Sequence, residues 1–299
     1  MNRFFAKLLL LIAGVSLCTV SVAEGQGTRP LVKIGMLKSM FRDVKPGVFS
    51  ALSGTFSGLV ESQTGMKGEL TQVDSPDDMR QKVMNGELQL GAFHGFEFAW
   101  MKLKEPDLQP LMLAAVNPGS LKAVVVVAKD CQCNSVEQLQ GKTVAIPTST
   151  REHSRLYISR QCRRCGRRME EHFAEIPTPK TVEDALDDVV DGVSCAAVTD
   201  MASLQTYERR KPGRYAKLKI VQTSEAFPAS VIAYKTGGLT PLELQRFQDG
   251  MATAHKSLYG SQLMGLMKIQ QFEPVPGNYD QVMAEILKAY PPPWVVTQR

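Results

Sequence analysis

Ser75-Pro76-Asp77-Asp78-Met79-Arg80-Gln81-Lys82-Val83-Met84-Asn85-Gly86-Glu87-Leu88-Gln89-Leu90-Gly91-Ala92-Phe93-His94-Gly95 contains a helix start, a helix stop and a buried strand. Ser75 stands at the cap and Pro76 at the first helical position. Asp77 and Asp78 place negative charge against the positive end of the helix dipole. Asn85-Gly86 ends the helix, and Leu88 to Phe93 is apolar enough for a buried strand that stops at polar His94. Thr181 to Met201 repeats this grammar without a gap. Thr181 aligns with Ser75, Asp184 with Asp78, Val189 with Val83, Gly192 with Gly86 and Asp200 with His94. Two copies of a helix-strand-polar unit predict two similar α/β lobes.

Outward from the repeat, strands alternate with helices almost throughout, which favours an α/β architecture with open, mostly parallel sheets. Leu31 to Met36 reads as a strand. Val48, Phe49, Leu52, Phe56, Leu59 and Val60 then recur at helical spacing until Gly65. Thr240-Pro241-Leu242-Glu243 opens a capping box and predicts the longest helix, running to about Tyr259. Gln281 to Ala289 predicts a last helix, stopped by Pro291-Pro292-Pro293. The apolar runs Leu111 to Ala115 and Leu121 to Ala128 flank Asn117-Pro118-Gly119. Leu218 to Gln222 and Val231 to Tyr234 flank Phe227-Pro228. These runs are expected to cross between lobes as hinge strands, with residues 24–114 and 227–299 in lobe 1 and residues 115–226 inserted as lobe 2.

The first residues predict export. Arg3 and Lys7 precede an apolar run from Leu8 to Leu17, and Ser21-Val22-Ala23 supplies the small residues of a cleavage site, so residues 1–23 read as a signal peptide. Lipid anchoring at Cys18 is disfavoured, because Leu17 stands where a small residue is needed. Removing Arg3 and Lys7 lowers the formal net charge from +5 to about +3, a balance that neither demands nor excludes nucleic acid. Basic residues cluster only from Arg160 to Arg168, without interleaved aromatics, so no nucleic-acid surface is predicted. No later stretch is long and apolar enough to span a bilayer.

The segment Leu139-Gln140-Gly141-Lys142-Thr143-Val144-Ala145-Ile146-Pro147-Thr148-Ser149-Thr150-Arg151-Glu152-His153-Ser154 is a short strand entering a hydroxyl-rich turn and a helix start. Hydroxyls, backbone N–H groups and a helix dipole converge there as an anion cradle. In open α/β sheets ligands gather beyond the carboxyl ends of strands, so four loops are expected at one shared cleft: Lys38 to Phe41, His94 to Glu97, Thr148 to Ser154 and Thr199-Asp200. The candidate ligand-binding residues are Thr148, Ser149, Thr150, Arg151, His153 and Ser154 on one side, with Asp200. On the other side stand His94, Phe96, Ser39, Met40 and Phe41. Each has a second reading. The three hydroxyls of Thr148 to Thr150 serve equally as helix caps, Arg151 as a solvent-facing first-turn residue, His94 as an interior histidine and Asp200 as the cap of the next helix. Phe96 and Trp100, one turn apart, read as core, with Phe96 able to wall the cleft. Glu97 reads as a solvated residue or a partner for a ligand amino group.

Five cysteines follow the signal. Cys131-x-Cys133 and Cys162-x-x-Cys165 suit disulfides in an oxidising compartment, or a four-thiolate zinc site, while Cys195 reads as a buried thiol. Thiol redox chemistry at Cys162 and Cys165 is a further reading, since Arg163 and Arg164 favour a thiolate. The four histidines accompany no nucleophile elbow, zinc-protease motif or nucleotide fingerprint. No enzyme activity and no cofactor are therefore expected.

The order and spacing of several stretches resemble the type II periplasmic solute-binding proteins of ABC transporters, in their phosphate/phosphite/phosphonate branch. These are Asn85-Gly86-Glu87-Leu88, Ala92-Phe93-His94-Gly95-Phe96, the strand Leu121 to Lys129, Ser135-Val136-Glu137-Gln138-Leu139-Gln140-Gly141-Lys142-Thr143-Val144-Ala145, and Thr223-Ser224-Glu225-Ala226-Phe227-Pro228. The resemblance implies a monomer whose lobes close on a small anionic solute and deliver it to a membrane permease. A ligand-sensing partner of a membrane receptor would use the same cleft. One departure is visible: the family's small Ser-Thr-Ser-Gly type turn is replaced by a turn carrying Arg151 and Glu152.

Overall fold

The computed structural model describes residues 30–42, 47–117 and 119–296; the signal-peptide expectation and Cys18 lie outside them. The chain opens with β1 (Leu31–Leu37), a 3-10 turn (Lys38–Phe41), α1 (Val48–Thr64), β2 (Lys67–Val73) and α2 (Pro76–Met84). It continues through β3 (Leu90–Phe93), α3 (Gly95–Lys104), β4 (Leu108–Ala115) and β5 (Ala123–Ala128). Next come β6 (Val144–Ala145), α4 (Glu152–Arg164), α5 (Met169–His172), α6 (Val182–Val190), β7 (Ala196–Asp200), α7 (Met201–Arg210), α8 (Pro212–Tyr215) and β8 (Leu218–Thr223). The chain then returns through β9 (Ser230–Lys235), α9 (Pro241–Thr253), α10 (Leu258–Met267), β10 (Gln271–Pro274), α11 (Tyr279–Ala289) and α12 (Pro293–Val296).

The repeat that predicted two lobes forms as read. Ser75 Oγ accepts from the Asp78 N–H at 3.2 Å, and Thr181 Oγ1 accepts from the Asp184 N–H at 3.1 Å. Gly86 and Gly192 close their helices at φ +79° and +76°, a left-handed conformation that favours glycine.

Two sheets result, one of six strands in the order β10-β4-β9-β3-β1-β2 and one of four in the order β6-β7-β5-β8. The first draws strands from both sides of the segment that builds the second. Both sheets are mixed rather than mostly parallel. β1–β2, β1–β3 and β6–β7 are parallel, while β3–β9, β4–β9, β10–β4, β5–β7 and β5–β8 are antiparallel. For every antiparallel pair but β10–β4 the physical reason is the crossing itself. β5 and β9 enter their lobes from the hinge, so they run away from the cleft and insert between strands that run toward it. The two crossing segments lie side by side. Ser224 N–H donates to Ala123 O at 2.9 Å and Phe227 N–H to Leu121 O at 3.0 Å, with Ala123 N–H donating to Ser224 Oγ at 2.9 Å.

Apolar burial fills three layers. Val32, Ile34, Phe56, Phe247 and Phe272 pack on one face of the six-stranded sheet, and Val124, Val126, Leu186 and Tyr207 pack on one face of the four-stranded sheet. The third layer is continuous between lobes through Phe93, Phe96, Val125, Ile158, Phe227 and Tyr290. β5, fully buried from Ala123 to Val127, needs its uninterrupted valines because helices cover both of its faces.

The long helix expected from Thr240 stops at Thr253. The Ser257 hydroxyl donates to Ala254 O at 2.9 Å and accepts from the Gly260 N–H at 3.0 Å. This local bonding ends one helix and caps α10. No helix among the described residues is long and apolar enough to cross a membrane.

Candidate functional site

The strand ends decide which side chains meet. β1 runs into the Lys38–Phe41 turn, β3 ends at His94, the residue before α3, and β6 leads through residues 146–151 into α4. These ends surround a cavity of about 120 Å³ between the lobes. Ser39, Met40, Phe41, Arg42 and His94 line it from the six-stranded lobe, Arg151 and His153 from the four-stranded lobe, and Lys268 from the end of α10. Its inner wall is apolar, formed by Ile34, Met36, Phe56, Ala114, Ile232 and Phe272. The Lys38–Phe41, His94 and Arg151–His153 segments thus converge as the sequence reading expects.

Several contacts hold the polar end. Ser39 Oγ and His94 Nε2 share a hydrogen bond of 3.1 Å, and Arg42 pairs with Glu152 across the cleft. Arg151 Nε lies 3.8 Å from Asp200 Oδ2. The buried Asp200 caps α7, accepting from Ser203 N–H at 2.9 Å and from the Ser203 hydroxyl at 3.0 Å. Asp200 therefore acts as a cap and also as an anchor for Arg151. His153 Nε2 is buried and finds no hydrogen-bond partner among the described residues.

Burial pushes the His94 imidazole down to about 3, with His153, Arg151 and Arg42 adding to the effect. It also lowers His153 to about 4, against the pull of Asp200. Both rings are neutral at pH 7 and present one N–H and one lone pair each. Glu97 is buried rather than solvated. Burial, with Glu152 adding, pushes its carboxyl up to about 8, so it is protonated at neutral pH.

Other candidate residues take structural positions. Thr148 Oγ1 donates to Lys180 O at 3.1 Å, Thr150 Oγ1 to Val198 O at 3.4 Å and Ser154 Oγ to Thr199 O at 3.0 Å. Their hydroxyls lash the turn to neighbouring segments instead of facing the cavity. Ser149 lines a second cavity of about 270 Å³ that also touches Arg151 and Lys268. Phe96 stands behind His94, its ring 5.8 Å from the imidazole, 5.1 Å from Trp100 and 6.0 Å from Phe227 in the hinge.

Three basic side chains at or beside the cavity lie outside the residues expected from sequence. Arg42 lies one residue beyond the predicted loop, and adjacency to Phe41 is the signal that could have found it. Arg155 ties the turn to α4, donating from Nε to Thr150 O at 3.2 Å and from Nη2 to Pro147 O at 2.5 Å. Its position one turn into the helix from Arg151 is the only trace in sequence. Lys268 adopts φ +57° at the end of α10, and nothing local marks it.

The cysteines group differently from the spacing-based expectation. All five described thiols are free. Cys162 and Cys165 sit at the end of α4, the first buried and the second exposed, and burial pushes the Cys162 thiol up to about 12. That is the opposite of a low-pKa redox thiol. Cys131 and Cys133 meet Cys195 instead, and all three are half-buried.

A family model described as the periplasmic substrate-binding protein of phosphonate ABC transporters matches residues 45–279. No curated protein sequence matches the chain. Among solved structures, a Xanthomonas citri protein bound to chloride is 15% identical with a TM-score of 0.62, the alignment covering 87% of this chain and 97% of that one. A binding-protein component of an ABC phosphonate transporter from Pseudomonas aeruginosa is 11% identical with a TM-score of 0.60, covering 87% and 88%. A Prochlorococcus marinus protein in complex with methylphosphonate is 14% identical with a TM-score of 0.62, covering 86% and 97%. At these identities the likeness is one of fold.

Proposed function

The chain belongs to the family of periplasmic substrate-binding proteins of phosphonate ABC transporters, and from that membership we propose that it captures a small anion bearing an apolar substituent between its lobes. It is a binding protein rather than an enzyme, and its cargo passes to a membrane permease. Residues 1–23 serve as the export signal, and the lobes comprise residues 24–114 with 227–299, and 115–226.

One observation carries this reading: a single cavity has a cationic, hydrogen-bonding end built by both lobes and an apolar interior built by one. Arg42 and Arg151 supply guanidinium groups suited to an oxyanion, and the His153 Nε2 atom has no partner among the described residues. The first turn of α4 adds its dipole, since no side chain caps that helix. A ligand touching both lobes favours the closed arrangement by its differential affinity.

The interior sets the substituent. A cavity near 120 Å³ is somewhat smaller than engineered protein cavities of about 150 Å³ that take benzene, and the anionic headgroup shares it, so a short alkyl substituent fits and a long one does not. Each buried methylene is worth about 0.8 kcal/mol, close to fourfold in affinity. Isothermal titration with phosphate, phosphite, methyl- to hexylphosphonate, alkylsulfonates and short carboxylates tests the reading. Affinity is expected to climb with chain length and then break off. Absence of binding by every anion would overturn the anion site, and a steady fall from phosphate onward would overturn the apolar subsite.

A further inference from the structure

We infer that Cys131, Cys133 and Cys195 form a three-thiolate site for a soft metal ion of the copper(I) or zinc class, separate from the cleft. The ligand atoms of these three side chains all lie within 4.8 Å of one another. A metal bound at about 2.3 Å to each sulfur draws three sulfurs to roughly 4 Å apart, so small side-chain rotations complete the site. A disulfide would join two sulfurs at about 2.05 Å and leave the third without a role.

Topology explains why residues so distant in sequence meet. β5 and β7 are antiparallel with Val127 opposite Ala196, so the turn after β5 and the residue before β7 share one end of the four-stranded sheet. Asp200 and the cleft lie at the other end of β7, a five-residue strand of about 16 Å. The metal site is therefore independent of the proposed solute site.

The surroundings hold the thiols in place. Cys133 N–H donates to Cys131 Sγ at 3.4 Å, Lys219 Nζ donates to Cys131 O at 2.6 Å, and Cys195 N–H donates to Thr143 O at 2.9 Å. The Cys133 thiol, whose S–H reaches Gln138 O at 3.5 Å, gives up that bond on coordination. Binding converts three S–H groups to thiolates and releases three protons, with no change in oxidation state. The Lys142 charge acts in favour of the Cys133 thiolate and offsets a small part of the resulting negative charge. Copper(I) accepts three thiolates as they stand, whereas zinc completes its shell with a water molecule.

The experiment is metal titration of the full chain, reduced and kept anaerobic, with copper(I) and zinc(II) in separate arms, followed by alkylation and peptide mass mapping. One metal per chain is expected, with Cys131, Cys133 and Cys195 shielded together while exposed Cys165 stays reactive. Cys131→Ser, Cys133→Ser and Cys195→Ser should each lower affinity at least about tenfold, and Cys165→Ser should leave it unchanged. Thermal melting of each apo variant identifies any that fail to fold, in which case the shielding map of the unaltered chain decides. Shielding that omits Cys195, unchanged affinity in Cys195→Ser, or a cross-link between two of these three cysteines in chain isolated without reductant would overturn the inference.

Discussion

Arg42 and Glu152 face each other from opposite lobes and form an ion pair across the cleft. Arg42 follows the turn after β1, and Glu152 is the first residue of α4, where helix dipole and guanidinium groups converge. Its carboxylate therefore competes with an anionic ligand for the same field. Glu152→Gln is expected to tighten binding of an alkylphosphonate by about tenfold, or about 1.4 kcal/mol, and Arg42→Ala to weaken it by at least as much. Titration calorimetry reads both, and unchanged affinity in Glu152→Gln would place that charge outside the ligand's reach.

The two residues that flank the Ser149-Thr150 turn separate two views of the cradle. Arg151 lines the cavity and is anchored by Asp200, whereas the Thr148 hydroxyl is committed to Lys180 O. Arg151→Ala is expected to cost about 2–4 kcal/mol in anion binding, roughly 30- to 1,000-fold. Thr148→Ala should cost only about 1 kcal/mol in stability, with binding preserved. Loss of binding in Thr148→Ala at unchanged melting temperature would restore the hydroxyl to the ligand.

Glu97 makes stability fall with rising pH. Its carboxyl holds a proton up to about 8 in the folded chain, against an ordinary value of 4.5. The unfolded chain thus releases that proton first, and the contribution, complete below 4.5, is lost as pH rises through 8. His94 and His153 act in the opposite sense. Lowered from 6.5 to about 3 and 4, they contribute stability present above 6.5 and lost as pH falls toward those values. Glu97→Gln should therefore match the unaltered chain near pH 5 and exceed it near pH 8 by at least about 1 kcal/mol. Melting curves across that range check this, and a constant difference at all pH values would contradict it.

What was legible in sequence is what is decided locally. Caps at Ser75, Thr181 and Thr240 bond residues three positions on, and Gly65, Gly86 and Gly192 end helices by their own backbone freedom, so spacing alone exposes them. Three loops that reach the cavity, after β1, β3 and β6, were legible too, because each follows a buried strand, whereas the Lys268 segment follows a helix and was not. What was not legible depends on partners far along the chain. The direction of β9 follows from its crossing between lobes, and the commitment of Thr148, Thr150 and Ser154 rests on carbonyls of Lys180, Val198 and Thr199. Cys195 joins Cys131 only because β5 and β7 pair. The break at Ser257 is local, yet an apolar helical pattern on both sides concealed it.

Gly95 shows how closely the cavity is coupled to the hinge. It is the first residue of α3, next to His94, and a Cβ there would stand 2.5 Å from Ala229 O and 2.8 Å from Pro228 O. Both oxygens are backbone atoms of the segment that returns from β8 to β9, so neither can swing aside as a flexible side chain would. Gly95→Ala must then push the hinge segment away from α3, at a cost of about 1–3 kcal/mol. The displacement also moves Phe227, whose ring lies 5.3 Å from His153 and 6.0 Å from Phe96, so residues of both lobes lose register around the cavity. Melting temperature should fall and solute affinity should fall with it, because a smaller fraction of the chain holds the binding-competent arrangement. Gly54→Ala on α1 is the control: nothing among the described residues lies within 4 Å of its added methyl, and replacing a helical glycine should stabilise by about 0.5–1 kcal/mol with binding unchanged. Retention of full affinity in Gly95→Ala would show that the hinge and the cavity are mechanically independent.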